Sequence, residues 1–277
     1  MKRHPPTPAI GDAPDALLDG GHLWIQELLS GGPFRFRLQS TGGIEVGDAE
    51  GRFRDGEVPL PYEHAVRHVQ ETLDREALHR AVDDVSSVTF LAVAMHRHAI
   101  EYDWHRTPSV LGVDVFDAAK DRYLPPDAVE RVYERLGFES VNTVEKEVRA
   151  ADFDPGTVEM PDSAYYDGPV AGLLVRDKTD NRAVVSNPDI ESTVDREPLS
   201  TSAEEAAERY AADRRFDRAA AALKSDGRPV TVDALFERTV ESILRAAHDR
   251  LLHHESAVEM GAFRSAVAAR ARAWLSE

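Results

Sequence analysis

The spacing of apolar residues changes once along this chain, and that change limits the folds open to it. Up to about residue 190 the apolar residues alternate with polar ones or fall in short runs, the patterns of strands, with helical stretches between them. From Thr201 onward they recur only at helical spacing. A purely helical or purely β chain would not show both patterns. Mixed strands followed by an uninterrupted helical tail predict an α+β protein with the tail as a second unit. The boundary falls near 195–202, which predicts a loose arm over 1–20, a mixed domain over 21–198 and a helical domain over 199–277.

The individual elements follow from local pattern. HLWIQELL and PFRFRLQ read as strands separated by Ser30-Gly31-Gly32. In PFRFRLQ, Phe34, Phe36 and Leu38 face one side while Arg35 and Arg37 face the other. GIEVGD continues these two as an antiparallel meander. Pro61 opens one amphipathic helix through YEHAVRHVQETLDREALHRAV. VTFLAVAM and SVLGVDVFD read as strands, and Pro126 starts a helix through DAVERVYERLGF. TVEKEVRAADF reads as another short helix. GPVAGLLVRD and RAVVSNP form a strand pair about the polar turn Lys178–Asn181. In the tail, SAEEAAERYAADRRFDRAAAALK, TVDALFERTVESILRAAHDRLLHHE and MGAFRSAVAARARAWLSE read as three helices. Ser202 and Glu205 make a capping-box pattern, and Thr231 is placed to cap the second helix.

Composition removes several chemistries. The chain of 277 residues has no cysteine, which excludes disulfides, cysteine-ligated zinc and a thiol nucleophile. A net charge of −17 excludes blanket electrostatic binding to nucleic acid or anionic membranes, so any phosphate grip needs a local basic strip. No apolar run approaches the roughly 20 residues of a membrane span. The N-terminal MKRHPPTPAIGDAPD lacks an apolar signal-peptide core, and the expected compartment is the cytoplasm. Lysine occurs only at Lys2, Lys120, Lys146, Lys178 and Lys224. Acid excess with Arg in place of Lys resembles the composition of salt-accumulating haloarchaea. A GC-rich genome would also replace Lys by Arg, but does not explain the acids.

Taken in order, the segments resemble the ATP-dependent RNA ligases of the nucleotidyltransferase superfamily. HLWIQELLSGGPFRFRLQ is similar to their first motif. HRHAIEYDWHRTPSVLGVDVFD is similar to the third motif and the strand after it. DGPVAGLLVR and NRAVVSNPDI are similar to the fourth and fifth motifs, and the tail resembles the small C-terminal domains of such ligases. The resemblance implies an antiparallel-sheet nucleotidyltransferase body, of the ATP-grasp-like ligase type, with an all-helical C-terminal domain. It also implies a chemistry. A lysine in Lys-x-Asp-Gly attacks the α-phosphate of ATP, lysyl-AMP passes AMP to an RNA 5′-phosphate, and a 3′-hydroxyl displaces AMP. Carboxylates of the third and fourth motifs serve Mg²⁺ and the ribose, and basic groups neutralise the phosphates.

This chain departs from the pattern where the chemistry resides. Leu28 stands in the slot of the nucleophilic lysine and Ser30 in that of the aspartate. Ala49 fills an arginine slot, Val93 and Ala171 fill glutamate slots, and Val184 fills a lysine slot; Ser186 takes a further, frequently basic slot. None of these side chains can attack phosphorus, bind Mg²⁺ or neutralise phosphate. No catalytic residue is therefore intact, and the expected chain is a ligase-fold protein without ligase chemistry. RNA ends or a partner protein would be its ligand, and binding of ATP with Mg²⁺ is in question. The alternatives are an active ligase whose motifs are misregistered, which the absence of lysine between Lys2 and Lys120 opposes, and a purely structural interaction module.

Candidate nucleotide or RNA contacts are Glu27, Gly31, Arg35, Arg37, Arg52, His96 and Arg176. Arg35, Arg37 and Arg52, with Arg54, Arg97 and Arg106, could form a basic strip for phosphates or sit in salt bridges with the abundant acids. Trp24 and Phe36 read as core. Val110 or Val113, with Phe116 beyond them, occupies the region where the family stacks an aromatic on adenine. His96, His98 and His105 lack the spacing of a metal site, and His253-His254 suits a helix C-terminus. No metal site is expected. The chain also lacks the Gly-x-Ser-x-Gly elbow of a hydrolase.

Overall fold

The computed structural model describes residues 1–54, 56–191 and 197–276. They fall into two compact units, one on each side of residues 192–196. The expected boundary near 195–202 lies partly outside the described residues.

The first unit is mixed α+β. Its strands are β1 (His22–Glu27), β2 (Gly32–Leu38), β3 (Ile44–Gly47), β4 (Val88–Ala94), β5 (Val110–Asp117), β6 (Arg122–Tyr123), β7 (Glu139–Ser140), β8 (Thr143–Arg149), β9 (Gly172–Arg176) and β10 (Arg182–Ser186). Its helices are α1 (Asp15–Leu18), α2 (Glu63–Thr72), α3 (Arg75–Ala81) and α4 (Pro126–Arg135). The strands make two sheets, one ordered β10-β9-β1-β8 and the other β3-β2-β4-β5-β6, with β7 running parallel to β5. All other strand pairs are antiparallel.

β1 and β2 do not form the expected meander; they belong to different sheets. Gly31 explains the parting. A Cβ there would lie 2.6 Å from Val93 Cγ1 and 2.8 Å from the Ala94 carbonyl, so the loop after β1 is pressed against β4. The alternation in β2 holds. Phe34, Phe36 and Leu38 are buried with Phe90, Ala92, Tyr133 and Phe138 under α2, α3 and α4. Arg35 and Arg37 occupy the opposite face. The outer face of the first sheet buries Leu23, Ile25, Leu173, Val175, Ala183 and Val185. Each sheet thus covers one face with its own core, and the remaining faces bound a cleft.

Two helical expectations are corrected. The helix from Pro61 breaks after Thr72, because Asp74 caps a new helix by accepting the Ala77 amide at 2.8 Å. TVEKEVR is strand β8, pairing with β1 through irregular register, with the short turn 150–152 after it. Its Glu and Lys side chains suit an exposed edge strand, and main-chain pairing overrides their helical preference. Residues 1–20 contain α1, bury Leu17, and set Ala9 beside Val184 of β10.

The second unit is helical: α5 (Ala203–Tyr210), α6 (Asp213–Ser225), α7 (Val232–Leu251) and α8 (Met260–Ser276). Phe216, Leu223, Leu235, Ile243, Leu244, Phe263 and Val267 form its interior. The Ser202–Glu205 capping box is present in both directions, and Thr231 accepts the Ala234 amide. The first tail helix divides at Ala211-Ala212. Arg215 and Arg270 donate to the freed carbonyls of Tyr210 and Ala211, each at 2.9 Å, which satisfies the end of the helix. Among the described residues no helix is long and apolar enough to cross a membrane.

Candidate functional site in the cleft between the sheets

The cleft wall on the β2 side carries Arg35, Arg37, Leu91, Asp114 and Phe116, set side by side by strand pairing. The opposing wall carries Trp24, Leu174, Arg176, Arg182 and Val184 of β1, β9 and β10. Both walls follow from the period of 2: the apolar partner of each residue points into its own sheet's core.

Asp114 joins the walls. Its Oδ1 accepts Arg176 Nη2 and its Oδ2 accepts Arg182 Nη1, both at 2.6 Å. Arg176 also donates to the Val113 carbonyl at 3.0 Å, and Arg182 pairs with Asp180. Arg176 and Asp114 are each 1% exposed. Burial holds the Arg176 pKa below its ordinary value, with Asp114 opposing that shift. Burial also works against the Arg182 charge, but Asp114 and Asp180 outweigh it and hold its pKa up. Two guanidiniums sharing one carboxylate in a dry setting form a fixed clamp rather than a free phosphate grip.

Glu27 ends β1 in an equally closed setting. Ser163 Oγ donates to its Oε1 at 2.5 Å, and the Ala164 amide and Asn142 Nδ2 donate to Oε2 at 3.2 and 3.3 Å. Burial raises its pKa, while these three donors pull in the opposite direction.

The next residues are Leu28, Leu29 and Ser30. The Leu28 amide donates to the Gly172 carbonyl, and a Cβ on Gly172 would sit 3.2 Å from Leu28 Cδ2. Ser30 donates its amide to Tyr102 Oη at 2.9 Å, and its hydroxyl accepts the Ala99 amide. Leu29, Val93 and Ala171 pack against one apolar cluster of Met95, Ile100, Tyr102, Leu111 and Tyr165. Burial raises the pKa of Tyr102 and of Tyr165. Leu28, Ser30, Val93 and Ala171 are therefore neighbours around one loop. Ala49 is exposed in a separate turn, closed by Asp48 accepting the Glu50 and Gly51 amides. Val184 lies on the outer edge of β10.

The arginine strip divides. Arg37 and Arg52 both bind Glu45, at 2.5 and 3.1 Å. Arg54 pairs with Glu57, Arg97 with Glu101 and Arg106 with Asp167. Arg35 is buried and donates to main-chain carbonyls of the N-terminal arm, at 3.4 Å to Met1 and 3.1 Å to Lys2. His96 lies beyond the end of β4, buried edge-on to Tyr62 and His64, with its Nε2 3.3 Å from that of the exposed His98. Phe36 is core, as expected; Trp24 is buried on the cleft wall, outside the core of its sheet, with Lys178 over its ring. Val110 is core, and Phe116 lies under Lys2 Nζ at 4.2 Å. In the helical unit, His253, His254 and Glu255 offer ligand atoms within 4.8 Å of one another, at a mostly exposed position after α7.

Sequence reasoning missed Asp114, Arg182, Asn142 and Ser163. Asp114 did leave a signal, as a lone acid inside the apolar run VLGVDVF. Asn142 and Ser163 left none, because they reach Glu27 from loops far away in sequence.

No protein-family model matches the chain, and no curated protein matches it. Solved structures of an RNA ligase from Naegleria gruberi are similar to it. A mutant with ATP and Mn has TM-score 0.54 at 10% identity, over 68% of this chain and 56% of that one. An apo mutant and the ligase with PPi each have TM-score 0.52 at 10% identity, with the same coverage. The chain spans just over half the length of these neighbours. The likeness is one of fold: a mixed α+β body with antiparallel sheets, here with a helical C-terminal region.

Proposed function

We propose that this chain is an RNA-ligase-like protein that binds RNA ends or a partner without forming lysyl-AMP. One observation carries the reading. Leu28 lies beside Gly172, and Val93 and Ala171 share one apolar cluster with Leu29, so the loop after β1 is lined by aliphatic side chains; the resemblance to RNA ligases would call for a lysine and two carboxylates at Leu28, Val93 and Ala171. No lysine lies between Lys2 and Lys120 to replace the nucleophile. Aliphatic side chains supply no electron pair to phosphorus and no oxygen to a metal. Glu27, the carboxylate beside them, has its oxygens engaged by Ser163, Ala164 and Asn142. The donor set does not fit ATP with Mg²⁺. Support for an RNA ligand comes from the fold shared with RNA ligases and from Arg37 and Arg52, which stand at the cleft rim around Glu45.

The test is incubation with α-labelled ATP and Mg²⁺ in high potassium chloride, followed by a denaturing gel beside an active ligase. The expected result is no label on the protein; retained label would sink the proposal. Gel shifts with 5′-phosphorylated and 5′-hydroxyl RNA then test the ligand. A preference for the phosphorylated end supports end binding. Single-strand phosphate contacts should give log K falling with log salt by roughly 0.7 per contact.

A further inference from the structure

The cleft already holds a peptide. Residues 1–9 run along it, and cleft groups bind them chiefly through their main-chain carbonyls. Arg35 Nη1 donates to the carbonyls of Met1 and Lys2, Tyr123 Oη donates to that of Arg3 at 2.9 Å, and the Val184 amide donates to that of Pro8 at 2.8 Å. Ala9 forms a parallel bridge with Val184, extending the first sheet beyond β10. His4 Nε2 lies 3.2 Å from the Phe34 carbonyl of the other sheet. Lys2 Nζ sits over the Phe116 ring at 4.2 Å. The arm therefore touches both walls, and it engages Arg35, a residue facing the cleft from the middle of β2.

The sequence of the arm suits this use. Pro5, Pro6 and Pro8 have no amide hydrogen, so they need no acceptors and present carbonyls only. They also favour an extended backbone, so docking sacrifices little chain entropy. The edge of β10 supplies an outward amide, as strand addition requires.

We propose that residues 1–9 are a displaceable strand that occupies the cleft and keeps Arg35 from other ligands. The docking itself stands on the contacts above. The consequence for RNA rests on the RNA-binding reading. A tethered strand acts at an effective concentration near the millimolar range, so an arm of roughly 0.1 mM intrinsic affinity would weaken a competing ligand about tenfold.

Docking is tested with a fluorescent peptide of residues 1–12 and a protein lacking residues 1–12. Saturable binding that Val184→Pro abolishes is the expected result. That substitution removes the amide donated to the Pro8 carbonyl but leaves the β9–β10 pairing on the other edge. No binding would overturn the proposal, as would binding that Val184→Pro leaves unchanged. If the shortened protein does not fold, trypsin cleavage after Arg3 is followed in the full chain. Faster cleavage in Val184→Pro than in the wild type supports docking, and equal rates overturn it. RNA is tested separately. Tighter RNA binding without the arm, reversed by added peptide, supports masking. RNA bound equally with and without the arm overturns masking. Peptide binding with no RNA binding to either protein leaves the docking intact and removes the RNA reading instead.

Discussion

At the scale of single residues the cleft is governed by a few buried charges. Asp114 is the clearest case. Asp114→Asn would leave two buried guanidiniums facing a neutral amide, and breaking a buried pair typically costs about 3–5 kcal/mol. Urea unfolding should show a loss of that order; a loss below about 1 kcal/mol would mean the guanidiniums recover their hydration. Glu27 gives a pH test. Its folded pKa is raised by burial, so the folded state holds the proton more firmly than the unfolded state. Its contribution to stability is present at low pH, below the unfolded value, and is lost as pH rises through the folded value. Wild-type stability should therefore fall relative to Glu27→Gln as pH climbs from the ordinary carboxyl range, and parallel curves in pH-resolved melts would refute this. Leu28→Lys places a charge against Gly172, in a half-buried position. A loss of about 1–3 kcal/mol is expected, and a raised melting temperature would count against a closed loop there.

At the scale of elements, the capping box before α5 offers a contained test. Ser202→Ala should destabilise the helical unit by about 1 kcal/mol, read as an earlier helical transition by circular dichroism. This box was legible because capping is local: Ser202 and Glu205 are three residues apart and need nothing else. Alternation in β2 was legible for the same reason. The errors arose where a distant partner decides. TVEKEVR has helix-forming residues, yet β1 offers it a free edge, and the pairing wins. HLWIQE and PFRFRLQ look like a hairpin, yet the close approach of Gly31 to β4 sends them to separate sheets. The candidate site shows the same division. Leu28, Ser30, Val93 and Ala171 were singled out by order along the chain, and order along the chain says nothing of what surrounds them. The arm contacts, the Asp114 clamp and the ligands of Glu27 span too much sequence to be read from spacing.

At the scale of the whole molecule, the net charge of −17 repels itself in the folded state. At about 1 M salt the screening length shrinks to roughly 3 Å, and that repulsion is largely removed. The melting temperature should rise with potassium chloride up to that range; a flat or falling curve would oppose a salt-adapted surface. The clamp at Asp114 responds differently, since ions do not reach it. It is a rivet between the two sheets: one carboxylate, 1% exposed, takes a guanidinium on each of its oxygens at 2.6 Å. Attraction between buried charges falls only as the inverse of their separation, so the hold is not lost at a small displacement. The spacing of the cleft walls is therefore set at Asp114 by an interaction that salt leaves in place, whatever happens to the charges on the surface.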